Sequence, residues 1–297
     1  MKINKLLFLM VPLVFNHCSI ATENQDSIPS WKDLITQHAA LMSIDSITLI
    51  QSQLCSFQEK TAPIIVHPAV KAIPIVGAQE EIIDLRVTPT DRVKCMEEPA
   101  FPFESPEKNG GYPCSSKLRK SVFEKLENMA KELDRIAPTF GYCPGQLIIM
   151  VREGLRDLTV QQELFKGVSD RIMVEHPEYT QEQNYLATCQ WVSPVINNVP
   201  VHSTGAALDF TLYDAINKKF VNMGAPIDSN SQHALTFSET MPLEYKMNRL
   251  MFIIAATEAG LTNYVYEWWH WSYGDRYAAY WCESNPIARS ALYGSVE

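Results

Sequence analysis

The sequence predicts an α+β fold in which a central, mostly antiparallel sheet is flanked by helices. Three observations carry this. Apolar residues recur at helical spacing in long stretches, as in Ser116–Ala137, where Leu118, Val122, Leu126, Met129, Leu133 and Ile136 lie three or four residues apart. Short β-rich runs, such as Leu147–Val151 and Leu208–Tyr213, lie between those stretches. The two kinds of segment mix without regular strand–helix–strand alternation, which disfavours a parallel sheet built from crossover units.

Taken in order, the first 21 residues stand apart. Lys2 and Lys5 precede an apolar run from Leu6 to Phe15, and Ser19-Ile20-Ala21 supplies the small residues a signal peptidase reads. The run is too short to span a bilayer, so residues 1–21 read as a secretory signal peptide and the protein as exported and periplasmic. Residues 22–78 form an N-terminal extension. It has helix-like spacing over Trp31–Gln53 and a Pro-punctuated, β-rich stretch over Thr61–Gly77, with no catalytic grouping. It either covers one side of the main domain or acts as a spacer.

The main domain, residues 79–290, opens with a strand at Glu80–Arg86, followed by a Pro-, Glu- and Gly-rich loop over 96–114. The Ser116–Ala137 helix ends at Pro138 and Gly141. Leu147–Val151 reads as a buried strand and Arg152–Leu158 as a loop. Thr159 with Gln162 makes a capping-box start to a helix running to Glu175. A third helix spans Pro242–Ala259, with Gly260 as its stop, and Tyr264–Trp271 is the last strand.

Composition narrows the function classes. The chain has 297 residues, 46% hydrophobic and 20% charged, which suits one globular domain with an extension. The net charge is −9 and no basic stripe is present, so nucleic acid is not an expected partner. Export also removes the membrane as a partner once the signal is cleaved. Of seven cysteines, Cys18 leaves with the signal. Cys55, Cys95, Cys114, Cys143, Cys189 and Cys282 remain, an even set that in an oxidising compartment predicts disulfides, with Cys95–Cys114 the first candidate bridge. No C-x-x-C pair occurs, which argues against a thiolate zinc cage.

Two short stretches carry the chemistry: His202-Ser-Thr-Gly-Ala-Ala-Leu-Asp209 and Glu267-Trp-Trp-His270. Together they offer two imidazoles, a carboxylate ligand and a further carboxylate. That is the inventory of a catalytic zinc site, with three protein ligands, an open position and a general base. Asp209 leads a hydrophobic strand, where a carboxylate is costly unless something positive pairs with it. Glu267 and His270 are three apart and would face opposite ways in a regular strand. Both reach one metal if Glu267 is the last inward residue of the strand and His270 lies on its exit turn. The surrounding aromatics would exclude water and raise the carboxylate's pKa. Arg156 and Arg152, in the loop after Leu147–Val151, are equal candidates for stabilising an oxyanion. Asp228, in the Met223–Asp228 loop, could bind a substrate ammonium. His233 could supply a fourth ligand, although four protein ligands would close the site.

With these residues assembled, the chain resembles the D-alanyl-D-alanine dipeptidases, the VanX-type zinc peptidases. These share a fold with D-Ala-D-Ala carboxypeptidases and the hedgehog signalling domain. The H-x-x-G-x-A-x-D and E-x-W-H patterns of that family match His202–Asp209 and Glu267–His270. Ile83–Arg86, Glu153–Arg156 with Val160-Gln161, Val221–Gly224 and Asp228 extend the resemblance over about residues 80 to 280.

The resemblance implies one zinc ion per chain held by His202, Asp209 and His270, with Glu267 as general base and Arg156, rather than Arg152, as transition-state stabiliser. It implies D-Ala-D-Ala as the small substrate, released as free D-alanine. One departure is that Leu155-Arg156-Asp157 stands where the family has Tyr-Arg-Pro, so Asp157 is expected to pair with Arg156 and damp its field. Two alternatives share the site: a cell-wall D,D-carboxypeptidase or endopeptidase of the same fold, and a non-catalytic zinc-binding module.

Overall fold

A computed structural model describes residues 28–88, 90–96, 116–229, 231–282 and 289–296. Helix α1 (Trp31–Gln37) starts at a capping box between Ser30 and Asp33, and α2 (Ile44–Gln58) at Ser43, whose side chain accepts from the Ser46 N–H. The β-rich expectation over 61–77 is not met. Pro63, Pro68 and Pro74 remove backbone donors, and the stretch holds a four-residue helix, α3 (Pro68–Lys71), and a single bridge between Ile75 and Ala291.

Three short strands follow, β1 (Ile82–Asp84), β2 (Val93–Cys95) and β3 (Lys117–Arg119). β3 runs straight into α4 (Lys120–Ile136), so the helix expected from Ser116 begins after a strand that already contains Leu118. β4 (Leu147–Glu153) leads to α5 (Leu158–Glu175). The cap of α5 is Asp157, accepting from the Thr159 N–H at 2.7 Å, and not the expected Thr159. The capping box falls instead at Thr180 and Gln183, at the start of α6 (Gln181–Cys189). β5 (Ala207–Asp214), β6 (Lys219–Phe220), α7 (Leu243–Glu258), β7 (Thr262–Asn263), β8 (His270–Ser272) and α8 (Arg276–Trp281) complete the order.

The main sheet runs β2-β4-β5-β8-β7, with β6 beside the far end of β5. Among the described strands only the β2–β4 pair is parallel, so the sheet is mostly antiparallel as expected. β1 and β3 form a separate antiparallel pair. β5 is buried along nearly its whole length, as a strand covered on both faces should be. Helices α4 and α7 pack together beside the sheet, and the Phe252 ring of α7 meets Phe210 of β5 at 4.8 Å. α1 and α2 pack onto α7, and Trp31, Leu34, Ile35 and Ile50 are at most 2% exposed within the main core.

No described helix is long and apolar enough to cross a membrane. Cys55, Cys143 and Cys189 carry thiols, which overturns full pairing of the six cysteines. Cys114, half of the expected Cys95–Cys114 bridge, and the segment 1–21 lie outside the described residues.

Candidate metal centre and its pocket

Three neighbouring strands place three ionisable residues in one row. Glu153 of β4 pairs with Asp209 of β5, and Asp209 pairs with His270 of β8. Directly paired residues project to the same face of a sheet. The regular β4–β5 register, Val151 against Phe210, would put Arg152 opposite Asp209; a bulge between Val151 and Glu153 puts Glu153 there instead.

His202 arrives from a 3-10 turn (Val201–Thr204), and Gly205, at φ 68°, turns the chain from there into β5. The Nδ1 of His202 lies 2.9 Å from the Gly154 carbonyl oxygen. A carbonyl only accepts, so this nitrogen carries the proton and Nε2 is left with its lone pair. A Cβ on Gly154 would stand 2.3 Å from the Lys117 carbonyl oxygen, so only glycine fits this turn.

His202 Nε2 lies 3.1 Å from His270 Nδ1 and 3.5 Å from Asp209 Oδ1, and His270 Nδ1 lies 3.0 Å from the same carboxylate oxygen. The three residues are at most 5% exposed. Their ligand atoms all fall within 4.8 Å of one another, and no hydrogen bond satisfies Asp209 Oδ1. Burial alone would raise the Asp209 pKa, but the two imidazoles outweigh it and hold the carboxyl well below the usual range. Burial likewise opposes charge on both imidazoles; it prevails at His270, whose pKa falls, while Asp209 raises that of His202. Two nitrogens and a carboxylate oxygen converging in a dry site fit a zinc-type donor set.

Glu267 reaches this cluster by a route opposite to the expected one. Residues 264–269 form the loop of the β7–β8 hairpin, and His270 opens β8 rather than following a strand. Within the loop the Glu267 N–H donates to Tyr264 O at 2.9 Å and the His270 N–H to Glu267 O at 3.2 Å, which brings both side chains to one side. Glu267 Oε2 is 3.8 Å from His270 Nδ1. Burial, reinforced by the Asp209 and Asp228 carboxylates, raises the Glu267 pKa well above the ordinary carboxylate range. Asn263 braces the loop, its Nδ2 donating to His270 O at 3.1 Å and Glu267 O at 3.3 Å. Asn263 is itself held by Gln53 of α2 and by Thr236.

Arg156 does not pair with Asp157, which is spent on capping α5. The turn folds its guanidinium back onto Glu153, with Nε and Nη2 donating to the two carboxylate oxygens at 2.7 and 2.5 Å. Nη1 donates to Gln161 Oε1 at 2.9 Å, and Gln161 in turn donates to Ser193 O at 2.7 Å. Burial disfavours the Arg156 charge, but Glu153 more than offsets it and the pKa is raised. Arg152 turns instead toward Asp228, 3.9 Å away. Asp228 sits at φ 64° with its side chain 57% exposed at the cavity mouth.

The six residues singled out in the sequence, His202, Asp209, Glu267, His270, Arg156 and Asp228, thus line one cavity of about 330 Å³. His233 bonds to Thr240 and is not in the metal-ligand cluster.

Sequence reasoning missed the roles of Glu153, Gln161, Asn263 and Arg249. The acid–arginine spacing of Glu153 and Arg156 was a readable signal for the first. Arg249 gave none. It is 1% exposed and donates only to backbone carbonyls, those of Met223, His233, Leu235 and Thr236, so it fastens both feet of the loop that carries Asp228. Its burial pushes its pKa down to about 9.

Residues 127–285 match the family described as D-ala-D-ala dipeptidase. A D-alanyl-D-alanine dipeptidase from Synechocystis sp. is 30% identical over 203 residues, which cover 61% of this chain and 79% of that protein.

Proposed function

The chain belongs to the D-Ala-D-Ala dipeptidase family of peptidases, and from that premise we propose that it is an exported zinc metallopeptidase that hydrolyses D-alanyl-D-alanine to free D-alanine. The observation that carries this is the convergence of three buried ligand atoms, from His202, Asp209 and His270, beside a fourth ionisable group, Glu267. In this reading the three ligands hold one zinc ion, which would supply Lewis acidity toward the scissile carbonyl and lower the pKa of water. Gly154 fixes the His202 tautomer that leaves a lone pair for the metal.

Glu267 acts as general base and then general acid. It takes a proton from the attacking water as the new C–O bond forms, and returns it to the amine as the C–N bond breaks. Its raised proton affinity suits both halves of that cycle. Arg156, aligned by Glu153 and Gln161, faces the developing oxyanion, a contribution of about 3 kcal/mol. Asp228 at the cavity mouth receives the substrate ammonium. The apolar run Leu6–Phe15 supports export, which would place the activity with peptides outside the cytoplasm.

The test compares Glu267→Gln with the native protein. The variant is expected to retain one zinc per chain by metal analysis while kcat on D-Ala-D-Ala falls by about 10²–10⁴-fold. Undiminished turnover would remove Glu267 from the chemistry. Cleavage of an N-acylated D-Ala-D-Ala peptide in preference to the free dipeptide would move the protein to cell-wall trimming.

A further inference from the structure

The cavity beside the metal cluster has an apolar side that hydrolysis itself does not use. Gln161, Leu164 and Val168 lie along one face of α5 at helical spacing and all line the cavity. Gln161 holds Arg156, so at 1.5 Å per residue the wall runs about 10 Å beyond the polar centre along the helix. Trp191, Val192 and Ile65 line the same cavity. Ile65 differs from the others in origin, because it comes from a segment outside the residues 127–285 matched to the family.

That segment is fastened to the hairpin that carries Glu267. The Tyr266 hydroxyl donates to the Ala62 carbonyl at 2.8 Å. The Tyr264 hydroxyl donates at 3.1 Å to the carbonyl of Gln190, the residue before Trp191 and Val192. One flank of Ile65 packs on the cluster of Val70, Val201, Tyr264 and Tyr277, while the residue remains half-buried and turned to the cavity. An isoleucine latched in place at a cavity wall is a fixed steric boundary, because its branched side chain has few rotamers to yield with.

We propose that Ile65 is a specificity-determining residue, closing the apolar side of the cavity and setting the largest apolar side chain a dipeptide can carry into it. This rests on the dipeptidase reading above. A difference of one methylene in an apolar pocket shifts selectivity by about 10-fold or more.

The experiment uses the zinc-loaded protein with Ile65→Ala and Ile65→Trp, each also made with Glu267→Gln so that binding is read without turnover. The substrates are D-Ala-D-Ala, D-Ala-D-Leu and D-Leu-D-Ala, with kcat/KM from D-alanine release and Kd from calorimetry. Ile65→Ala is expected to raise the preference for one leucine dipeptide over D-Ala-D-Ala by about 10-fold in both measures, and Ile65→Trp to lower it. A purely structural role would lower binding of all three dipeptides alike and leave the ratios unchanged, and that result would overturn the proposal. If the native protein binds these dipeptides but cleaves none, the hydrolase reading fails while the Kd ratios still decide the role of Ile65. If it binds none, both fall.

Discussion

A Cβ at Gly154 would meet the Lys117 carbonyl oxygen at 2.3 Å and Leu118 Cδ2 at 2.6 Å, so the backbone of this turn has no room to give. The same glycine's carbonyl fixes the His202 tautomer. Gly154→Ala is therefore expected to weaken zinc binding by about 10–100-fold, the cost typical of losing a partner to a metal-bound histidine. Competition with a chromogenic chelator measures this; unchanged affinity would mean that His202 is oriented by something else. At this scale the sequence was informative where residue type alone restricts the chemistry. Two histidines and two acids in short motifs were legible as a set. The partner of Arg156 was not. Adjacency favoured Asp157, but neighbouring residues in a turn point apart, while Glu153 is brought round by the chain reversal between them. Nor could Asn263 be read, because its role lies in two carbonyls its amide happens to reach.

Elements were legible where one period ran unbroken. The buried line of α4, Val122, Leu126, Met129, Leu133 and Ile136, is the one its spacing predicts. The aromatic run Tyr264–Trp271 misled because its composition favours strand whereas its backbone closes a hairpin loop, through bonds no propensity records. A second tie between elements also depends on long-range contact. Arg92, just before β2, grips Asp134 of α4 through Nη1 and Nη2 at 2.6 and 2.8 Å, and Gly145 N–H adds a bond at 2.7 Å. The hydrogen bond from Arg92 is the largest influence on Asp134 and holds its pKa below the ordinary value, against a smaller opposing effect of burial. A depressed carboxylate stabilises the fold above its unfolded pKa, about 3.9, and that stabilisation is lost as pH falls through the folded value. Asp134→Asn should thus cost about 1 kcal/mol at pH 6, and the gap from the native protein should close toward pH 2–3. Urea melts at both pH values measure it; a gap independent of pH would remove the ion pair from the account.

Across the whole molecule, packing does not follow the distribution of chemistry. Residues 22–78 were set apart in the sequence because they carry no catalytic grouping, yet Trp31, Leu34, Ile35 and Ile50 share the main core at 0–2% exposure. Gln53 of the same segment reaches the Asn263 carbonyl at 2.8 Å, at the foot of the hairpin loop that carries Glu267. Burying each of those four apolar side chains is worth about 1.5–3 kcal/mol, and together they approach the net stability of a typical domain, about 5–15 kcal/mol. A chain beginning at residue 60 is expected to show no cooperative thermal transition by circular dichroism. A sharp transition with zinc binding retained would mean that the remaining residues fold alone. The sequence could not reveal this dependence, since amphipathic spacing says that a helix buries one face without saying against what.

The row of Glu153, Asp209 and His270 has a consequence for assembly. β5 turns Leu208, Phe210 and Leu212 to the main core and Ala207, Asp209 and Thr211 to the other face, so a slip of one residue against its neighbours would exchange an apolar face for a polar one. The ionisable row does not tolerate that exchange. A slip would carry Asp209 to the far face and leave it as a lone carboxylate among apolar side chains, the kind of burial that proteins resist most strongly. The residues assigned to peptide cleavage thereby work as a checksum on strand pairing, and a chain that misaligns its central strand forfeits stability and activity in one step.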